Sequence, residues 1–188
     1  MARHSRNPGS GVIFTVGHST HTLDAFVALL RGGGVEAVAD VRRYPGSRRS
    51  PWFAREALAA SLGDEGIEYV HLEPLGGRRA VVAGSPNGGW ENTAFQAYAD
   101  HMATPEFAAG LADLEALAQR RATVVMCAEA PWWRCHRRLV ADALVVRGWT
   151  VRHIGPEGRQ TGHELTDFAM VEHGTLTYPP VQTELLGR

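Results

Sequence analysis

One stretch of the chain decides the expected fold: Val12-Ile13-Phe14-Thr15-Val16-Gly17-His18-Ser19-Thr20. Its first five residues are apolar or β-branched, as in a buried strand, and the last four have the composition of a tight turn. Beyond the turn, apolar residues recur at the i, i+3, i+4 and i+7 positions of a helix that has Thr22 as N-cap and ends at Gly32. The stretch therefore predicts a strand, a turn and a helix in succession.

The same alternation continues along the chain. Further strands are predicted over residues 37–41, 67–72, 123–127 and 149–154. One helix is predicted to start after Ser50 as N-cap, with Pro51 in its first position, and others over about 91–102, 105–120 and 135–147. The tail is predicted to hold a short helix at 164–170 and an extended piece at 175–178.

This order predicts an α/β fold, with a flexible polar lead at residues 1–10 and a single domain over 11–188. The sheet should be mainly parallel, with five strands or slightly more and helices on both faces, in a Rossmann-like architecture. The glycine-rich loop 75–90 is expected either to fold over a ligand site as a lid, through residues 87–90, or to be disordered.

Composition limits the class of protein. The chain has 188 residues, of which 44% are hydrophobic, so it is long enough to form a full core without disulfide or metal staples. No apolar run approaches the ~20 residues that span a bilayer, and the first ten residues contain no apolar signal segment. We therefore expect a cytoplasmic protein without a membrane partner, with its two cysteines reduced.

Polar residues follow the predicted strands. In a parallel sheet the carboxyl ends of the strands lie at one edge, where ligands usually bind. The segments that reach this edge are Gly17-His18-Ser19, Asp40-Val41-Arg42, residues 73–78, Cys127-Ala128-Glu129 and the end of the last strand at His153. We expect a shared crevice here, lined by side chains that transfer protons, attack electrophiles or bind phosphate.

The turn Gly17-His18-Ser19 has two interpretations. Backbone N–H groups at a helix N-terminus, with a hydroxyl beside them and a glycine that allows close approach, can bind an anion. The same residues could equally perform ordinary turn and cap chemistry.

Arginines are concentrated after the second strand. All 19 basic residues of the chain are arginine although the net charge is only −1, and five of them lie between Arg42 and Arg55 without an intervening acid. Aromatic residues are interleaved with them, which is typical of sites that bind phosphate and stack on bases. Asp40 is either a general base or a structural partner that orients Arg42.

The segment from Cys127 to Arg137 holds further candidates. Cys127, at a strand end and facing arginines, is expected to have a lowered pKa and to act as a nucleophile; it could instead be a buried small side chain. Cys127, Cys135 and His136 could also bind a soft metal, although no fourth ligand is evident. Glu129, which Trp132 and Trp133 are expected to cover, is either an acid or base with a raised pKa or a structural ion-pair partner of Arg134 or Arg137.

Several of these segments together resemble the DUF488 family. They are Thr15 to Ser19, Asp40-Val41-Arg42 with Pro45 and Ser47, Leu75-Gly76-Gly77-Arg78, Tyr98 to Met102, and Met126 to Glu129 followed by Cys135-His136-Arg137. The resemblance runs in order from about Val12 to Ile154. It implies an α/β fold and supports the choice of pocket residues, but no reaction, because the family is named for having no assigned function.

The candidate residues fall into two groups. The predicted catalytic residues are Asp40, Cys127, Glu129 and His136. The predicted substrate or anion-binding residues are Gly17, His18, Ser19, Arg42, Ser47, Gly76, Gly77, Arg78, Cys135 and Arg137.

Three functions remain open at this point. The favoured one is an enzyme that acts on a phosphate-bearing substrate, a nucleotide or a nucleic acid, with arginines for the anion and Asp40, Glu129 and His136 for proton transfer. The second is a nucleic-acid-binding module without catalysis. The third is a thiol or sulfur-transfer enzyme with Cys127 as nucleophile and Cys135 as resolving thiol. The sequence indicates neither a cofactor nor an oligomeric state.

Overall fold

A six-stranded sheet forms the centre of the described part of the protein. The structure is a computed structural model that describes residues 11–46 and 49–180. Its strands are β1 (Val12–Gly17), β2 (Ala37–Asp40), β3 (Glu68–His71), β4 (Thr123–Cys127), β5 (Thr150–Ile154) and β6 (Gln160–Gly162), in the order β3-β2-β4-β1-β5-β6. All pairs are parallel except β5 with β6, and a separate hairpin joins β7 (Met170–Glu172) to β8 (Thr175–Thr177).

Five α-helices cover the two faces of the sheet. They are α1 (Leu23–Gly32), α2 (Arg55–Asp64), α3 (Thr93–Met102), α4 (Pro105–Arg120) and α5 (Arg137–Val146). Side chains alternate along a strand, so Ala37 and Ala39 pack with α3, α4 and α5 on one face, whereas Val38 packs with α1 and α2 on the other. The buried strands are therefore apolar on both faces, as expected for a parallel sheet between helical layers.

The strand order creates the crevice of the sheet. After β1 and after β2, the chain continues toward the edge of the sheet formed by β3. After β4, it continues in the opposite direction, toward β5. Because such crossovers are right-handed, the helices that follow these strands lie on opposite faces. A gap opens between two neighbouring strands when the chain segments that follow them go to opposite faces of the sheet. Here β4 differs in this way from both of its neighbours, β2 and β1. The carboxyl ends are level, since Gly17 pairs with Cys127 and Asp40 with Met126.

The α/β class, the mainly parallel sheet and the helices on both faces are confirmed, but the count of five strands is not. The sixth strand, β6, adds an antiparallel edge to the predicted five. The Rossmann-like label is not confirmed, because the dinucleotide-binding order 3-2-1-4-5-6 places β1 rather than β4 next to β2. The predicted lead at residues 1–10 lies outside the described residues.

Two local predictions are wrong. The helix expected to begin at Pro51 begins at Arg55, because Pro51–Phe53 forms a 3-10 turn that turns the fully buried Phe53 inward. The helix predicted at 164–170 is absent from the described tail, where strand β7 starts at Met170. Strand β8 does confirm the extended piece at 175–178. The tail is held by long-range contacts, so its local sequence carries little information about it.

The loop 75–90 packs against this tail at its end. The Gly89 N–H donates to the carbonyl of Tyr178 at 2.8 Å, and the Tyr178 N–H donates to Asn87 Oδ1 at 2.9 Å. Trp90 is buried against Tyr178 and Phe168. The segment predicted as a lid is therefore part of the core, and residues 87–90 do not line the cavity described below. Among the described helices, none is both long and apolar enough to cross a membrane.

Gly17, at the end of β1, is required by a close chain crossing. A Cβ atom added there would lie 1.9 Å from the carbonyl oxygen of Glu129. The glycine therefore lets the chain that leaves β4 pass directly over the end of β1.

We expect Gly17→Ala to destabilise the fold by about 3 kcal/mol or more, because the new methyl group meets backbone that must move. Gly63→Ala is the matched control, since Gly63 lies within α2 and has open space at its Cβ position. The control should be neutral or stabilising by up to about 1 kcal/mol. Urea unfolding of both variants measures the difference, and equal stabilities would contradict the crossing constraint.

Candidate functional site

A cavity of about 440 Å³ opens at the carboxyl edge of the sheet, beside the ends of β1, β2 and β4. Side chains distant in the sequence meet there, as the parallel order predicts. The lining residues are His18, Arg42, Arg43, Tyr44, Gly46, Gly77, Arg78, Ala94, Phe95, Tyr98, Cys127, Ala128, Glu129, Arg134, Cys135 and His136.

A buried ion pair forms the base of the site. Arg42 Nε donates to Asp40 Oδ1 at 2.9 Å, and the Tyr69 hydroxyl donates to Asp40 Oδ2 at 2.6 Å. Burial lowers the pKa of Arg42, but the hydrogen bonds and charge of Asp40 outweigh it and raise that pKa above its usual value. Because both carboxylate oxygens are occupied, the structure favours the second interpretation of Asp40, in which it orients Arg42.

The Arg42 side chain is also largely engaged. Its Nη1 donates to the carbonyl of Phe53 at 2.8 Å and lies 3.3 Å from His18 Nε2. Arg42 lines the cavity, as predicted, but its charge is neutralised by Asp40. We therefore regard Arg42 as a fixed wall of the site.

His18 is held as a neutral ring against this wall. Its ring stacks on Phe53, with 4.2 Å between centroids, and its Nδ1 lies 3.1 Å from the carbonyl of Ser19. Burial, followed by the charge of Arg42, lowers the pKa of His18 from 6.5 to about 4. A ring that donates from Nδ1 and accepts at Nε2 from Arg42 satisfies both contacts without a second proton.

The backbone donors predicted to bind an anion at this turn are occupied. The His18 and Ser19 N–H groups donate to the carbonyls of Cys127 and Ala128, both at 2.9 Å, and so extend the pairing of β1 with β4. Helix α1 begins only at Leu23. Gly17 and Ser19 do not line the cavity, and His18 is the residue of this turn that does.

Two thiols meet in the wall of the cavity. Cys127 Sγ lies 2.8 Å from Cys135 Sγ, and Cys135 Sγ lies 3.5 Å from His136 Nδ1. Burial raises the pKa of Cys127 well above its usual value, opposite to the prediction. Burial also raises the pKa of Cys135, but the Cys127 hydrogen bond and the charges of His136 and Arg137 outweigh it and hold that pKa well below its usual value.

His136 stands between the thiol and the strand edge. Its Nε2 donates to the carbonyl of Val41 at 3.1 Å, which directs Nδ1 toward Cys135. Gly77 makes room for the ring, because a Cβ atom there would lie 2.9 Å from His136 Nδ1. Gly76 similarly allows the backbone of Arg43 to approach. Of the three glycines predicted to bind substrate or an anion, Gly17, Gly76 and Gly77, only Gly77 lines the cavity.

Arg137 was predicted to bind an anion but is a structural residue. Its side chain is 1% exposed and does not line the cavity. The guanidinium donates to the carbonyls of Glu129 and Ala130, and its Nη1 lies 3.4 Å from Thr15 Oγ1. Within the described residues it has no carboxylate partner. Arg137 therefore holds the chain that leaves β4 and places an uncompensated positive charge beside the thiols.

Glu129 lies at the rim of the cavity and is exposed. Trp132 and Trp133 do not cover it as predicted, since Trp132 stacks on His153 at 4.0 Å and Trp133 points to solvent. Neither Arg134 nor Arg137 forms an ion pair with its carboxylate in the described part of the chain. Glu129 is thus the acidic residue of the lining that is free to reach a ligand.

Positive charge dominates the mouth of the cavity. Arg78 and Arg134 are exposed lining residues that make no ion pair with any described carboxylate. The Arg43 guanidinium lies 5.7 Å from the Tyr44 ring centre and donates to the carbonyl of Arg78 at 2.8 Å. Ser47, predicted to bind substrate, lies outside the described residues.

Sequence reasoning missed several side chains of the site. Tyr98, on α3, belongs to the core, but it also lines the cavity, and its hydroxyl donates to the carbonyl of Leu75 at 2.7 Å. Tyr69, on β3, satisfies Asp40 from a strand position that looks apolar. Neither role has a local signal. Among the described residues, no group of three or more His, Cys, Asp or Glu side chains is arranged to hold a metal ion.

The fold and the cavity thus define an α/β domain with an arginine-lined cavity at the carboxyl edge of a mainly parallel sheet. The family model for "Domain of unknown function DUF488" matches residues 22–144, and the chain belongs to this family. The resemblance seen in the sequence is thereby confirmed. Comparisons with curated proteins and with solved structures give no significant match.

The state of His18 predicts how stability depends on pH. A histidine whose folded pKa of about 4 lies below its unfolded value of 6.5 favours the folded state fully above pH 6.5. This contribution, up to about 3 kcal/mol, is lost as the pH falls from about 6.5 to 4, because only the unfolded chain takes up the proton.

Urea unfolding at about pH 7.5 and pH 5 compares the wild type with His18→Gln. The variant should lose less stability on acidification than the wild type. His153, whose pKa burial lowers to about 3, acts in the same direction and is unchanged in both proteins. Equal losses in the two proteins would contradict the assignment of His18 as a buried neutral ring.

Proposed function

We propose that the protein is an enzyme that acts on a phosphate-bearing substrate, a nucleotide or a nucleic acid, in the cavity at the carboxyl edge of the sheet. The observation that carries the proposal is the charge of the lining. Arg43, Arg78 and Arg134 form no ion pair with a described carboxylate, and Glu129 is the sole carboxylate among the described lining residues. A phosphate group would supply the negative charge that Arg78 and Arg134 do not receive from a described residue.

Aromatic rings support a nucleotide or nucleic acid over a simple phosphoester. Phe95, Tyr98 and Tyr44 line the same cavity, and the Tyr44 ring is 64% exposed. Bases stack on exposed aromatic rings while arginines contact the backbone, a combination that tolerates different base sequences. The proposed substrate therefore places its phosphate at the arginines and its base against this aromatic wall.

Proton transfer in this proposal falls mainly to Glu129. Asp40 is occupied by Arg42 and Tyr69 and acts as a positioning residue. His136 donates from Nε2 to a backbone carbonyl, so only its Nδ1 side, next to Cys135, can exchange a proton. Glu129 has a carboxylate at the rim and can protonate a leaving group or accept a proton from an attacking water.

A second candidate is Cys-dependent chemistry in the same cavity. The observation that favours it is the contact between Cys135 and His136, in which Nδ1 can take the thiol proton and leave a nucleophilic thiolate. This reverses the roles predicted from the sequence, because Cys135 rather than Cys127 contacts the base.

Two broader assignments belong to the proposal. A Rossmann-like classification, in the wide sense of alternating strands and helices with a ligand at the carboxyl edge, is supported by the position of the cavity. A cytoplasmic location is supported by the two cysteines, which are free thiols.

Binding of adenosine monophosphate and of a short single-stranded oligonucleotide tests the anion site. We expect Arg78→Gln and Arg134→Gln each to weaken binding by about tenfold to a hundredfold, the loss expected for one charge-assisted hydrogen bond. Arg152→Gln, which removes an exposed arginine on β5, is the matched control and should leave the affinity within about twofold. Equal affinities in all three variants would overturn the assignment.

Turnover tests the catalytic part of the proposal. Phosphate release or strand cleavage is followed with mononucleotides, dinucleotides and oligonucleotides, and Glu129→Gln should lower kcat by about 100-fold or more while the dissociation constant stays similar. If Cys135→Ser abolishes turnover and Glu129→Gln does not, the Cys-dependent candidate is correct. Binding without turnover of any of these substrates would identify a nucleic-acid-binding module and contradict the proposed enzyme.

A further inference from the structure

The two cysteines of the chain form a pair that the phosphate site does not use. Cys127 is the last residue of β4, and Cys135 lies two residues before the start of α5. Both line the cavity, so small molecules in the cavity can reach them. The chain contains no other cysteine, so any internal disulfide must join these two.

The distance between the sulfur atoms indicates that a bond is within reach. They lie 2.8 Å apart, closer than the roughly 3.5–4.0 Å optimum of non-bonded heavy atoms and within about 1 Å of a disulfide bond length. Cys127 ends a central strand, and Cys135 lies just before a helix. The two sulfur atoms need to approach by less than about 1 Å to form a disulfide.

The surroundings of the two thiols differ. The Sγ atom of Cys135 lies 3.5 Å from His136 Nδ1. Among the described residues, the Sγ atom of Cys127 has polar contacts with Cys135 and, at 3.9 Å, with the carbonyl of Glu129, but with no histidine. The buried Arg137 adds a positive charge that no described carboxylate compensates. A thiolate at Cys135 would be stabilised by the Cys127 S–H bond, by His136 and by this charge, so Cys135 is the attacking sulfur.

We propose that Cys135 and Cys127 form a redox-active dithiol that a small hydroperoxide, entering through the cavity, converts into an intramolecular disulfide. This activity is separate from the proposed action on phosphate-bearing substrates and does not depend on it. A small oxidant is required, because both sulfur atoms lie in side chains that are less than 5% exposed.

The reaction balances in two steps. The Cys135 thiolate attacks the terminal, proton-bearing oxygen of the hydroperoxide, and the O–O bond breaks, so that Cys135 becomes a sulfenic acid. The leaving alkoxide or hydroxide takes a proton from the His136 imidazolium. The Cys127 thiol then attacks the sulfenic sulfur, forming the S–S bond and releasing water. Two thiols are oxidised, and the hydroperoxide is reduced to an alcohol or water.

A dithiol reverses the oxidation. One thiolate of the reductant attacks a sulfur of the disulfide and forms a mixed disulfide, which its second thiol resolves. Both protein thiols are regenerated, and the reductant leaves as a cyclic disulfide. A disulfide carries no charge, so oxidation removes the negative charge of the Cys135 thiolate from the neighbourhood of the arginines of the cavity.

The experiment uses the full chain, reduced with dithiothreitol, freed of reductant and treated with hydrogen peroxide. The wild type should lose both titratable thiols, and its intact mass should fall by two hydrogen atoms; dithiothreitol should restore both readings. Cys127→Ser should form no intramolecular disulfide and should accumulate a sulfenic acid at Cys135 that dimedone traps. Cys135→Ser should react at least about tenfold more slowly.

Each contrary outcome is decisive. Wild-type peroxide consumption by Cys135→Ser, with dimedone on Cys127, would overturn the assigned roles. Thiols that react only after denaturation, or a disulfide that links two chains, would overturn the intramolecular site. Urea unfolding of both variants establishes that they are folded, and nucleotide binding by the reduced wild type tests the phosphate proposal independently of these outcomes.

Discussion

The insertion of β4 between β2 and β1 is the constraint on which the rest of the structure depends. Parallel pairing with level carboxyl ends brings residues from three distant segments to one edge, and the chain leaves neighbouring strands toward opposite faces. The gap between those departing chains is the cavity. Gly17 is part of the same constraint, because only a glycine lets the chain leaving β4 cross the end of β1 so closely. The position of β4 therefore determines both how the core packs and where the site lies.

Buried charge is distributed unequally around this edge. Arg42 is paired with Asp40 and is fixed, whereas Arg137 is buried against carbonyl oxygens without a described carboxylate. Burying an unpaired cation is costly, so a compensating negative charge nearby is favoured. A thiolate at Cys135 would provide one on the protein, and a bound anion at the exposed arginines would provide another. The uncompensated positive charge at this edge thus favours both the proposed anionic ligand and the proposed Cys135 thiolate, although different groups of the protein take part in the two reactions.

A second polar network lies behind the site and links it to the tail. Thr15 Oγ1 lies 2.7 Å from His153 Nδ1, His153 Nε2 lies 3.0 Å from His163 Nδ1, and His163 Nε2 lies 2.8 Å from Asp142 Oδ1. The Tyr178 hydroxyl also donates to Asp142, at 2.8 Å. Buried polar groups of this kind need hydrogen-bond partners, so this network of hydrogen bonds fixes the tail against β5 and α5. Strand β6 and the burial of Tyr178 depend on these contacts, which no local pattern in residues 156–180 predicts.

The sequence by itself determined the α/β class, a mainly parallel sheet, the helices with clear apolar stripes and the edge at which the polar residues gather. These features follow from local periodicity and from the handedness of crossovers. It also indicated that Asp40 and Arg42 lie in the same site, but not whether Asp40 is a general base or a structural partner that orients Arg42. Only the tertiary structure decided the strand order, the sixth strand, the role of Arg137 as an internal support and the reversed acidity of Cys127 and Cys135. These depend on distances between residues far apart in the chain and on burial, and a pKa is set by the groups that surround a side chain in space rather than by its neighbours in sequence.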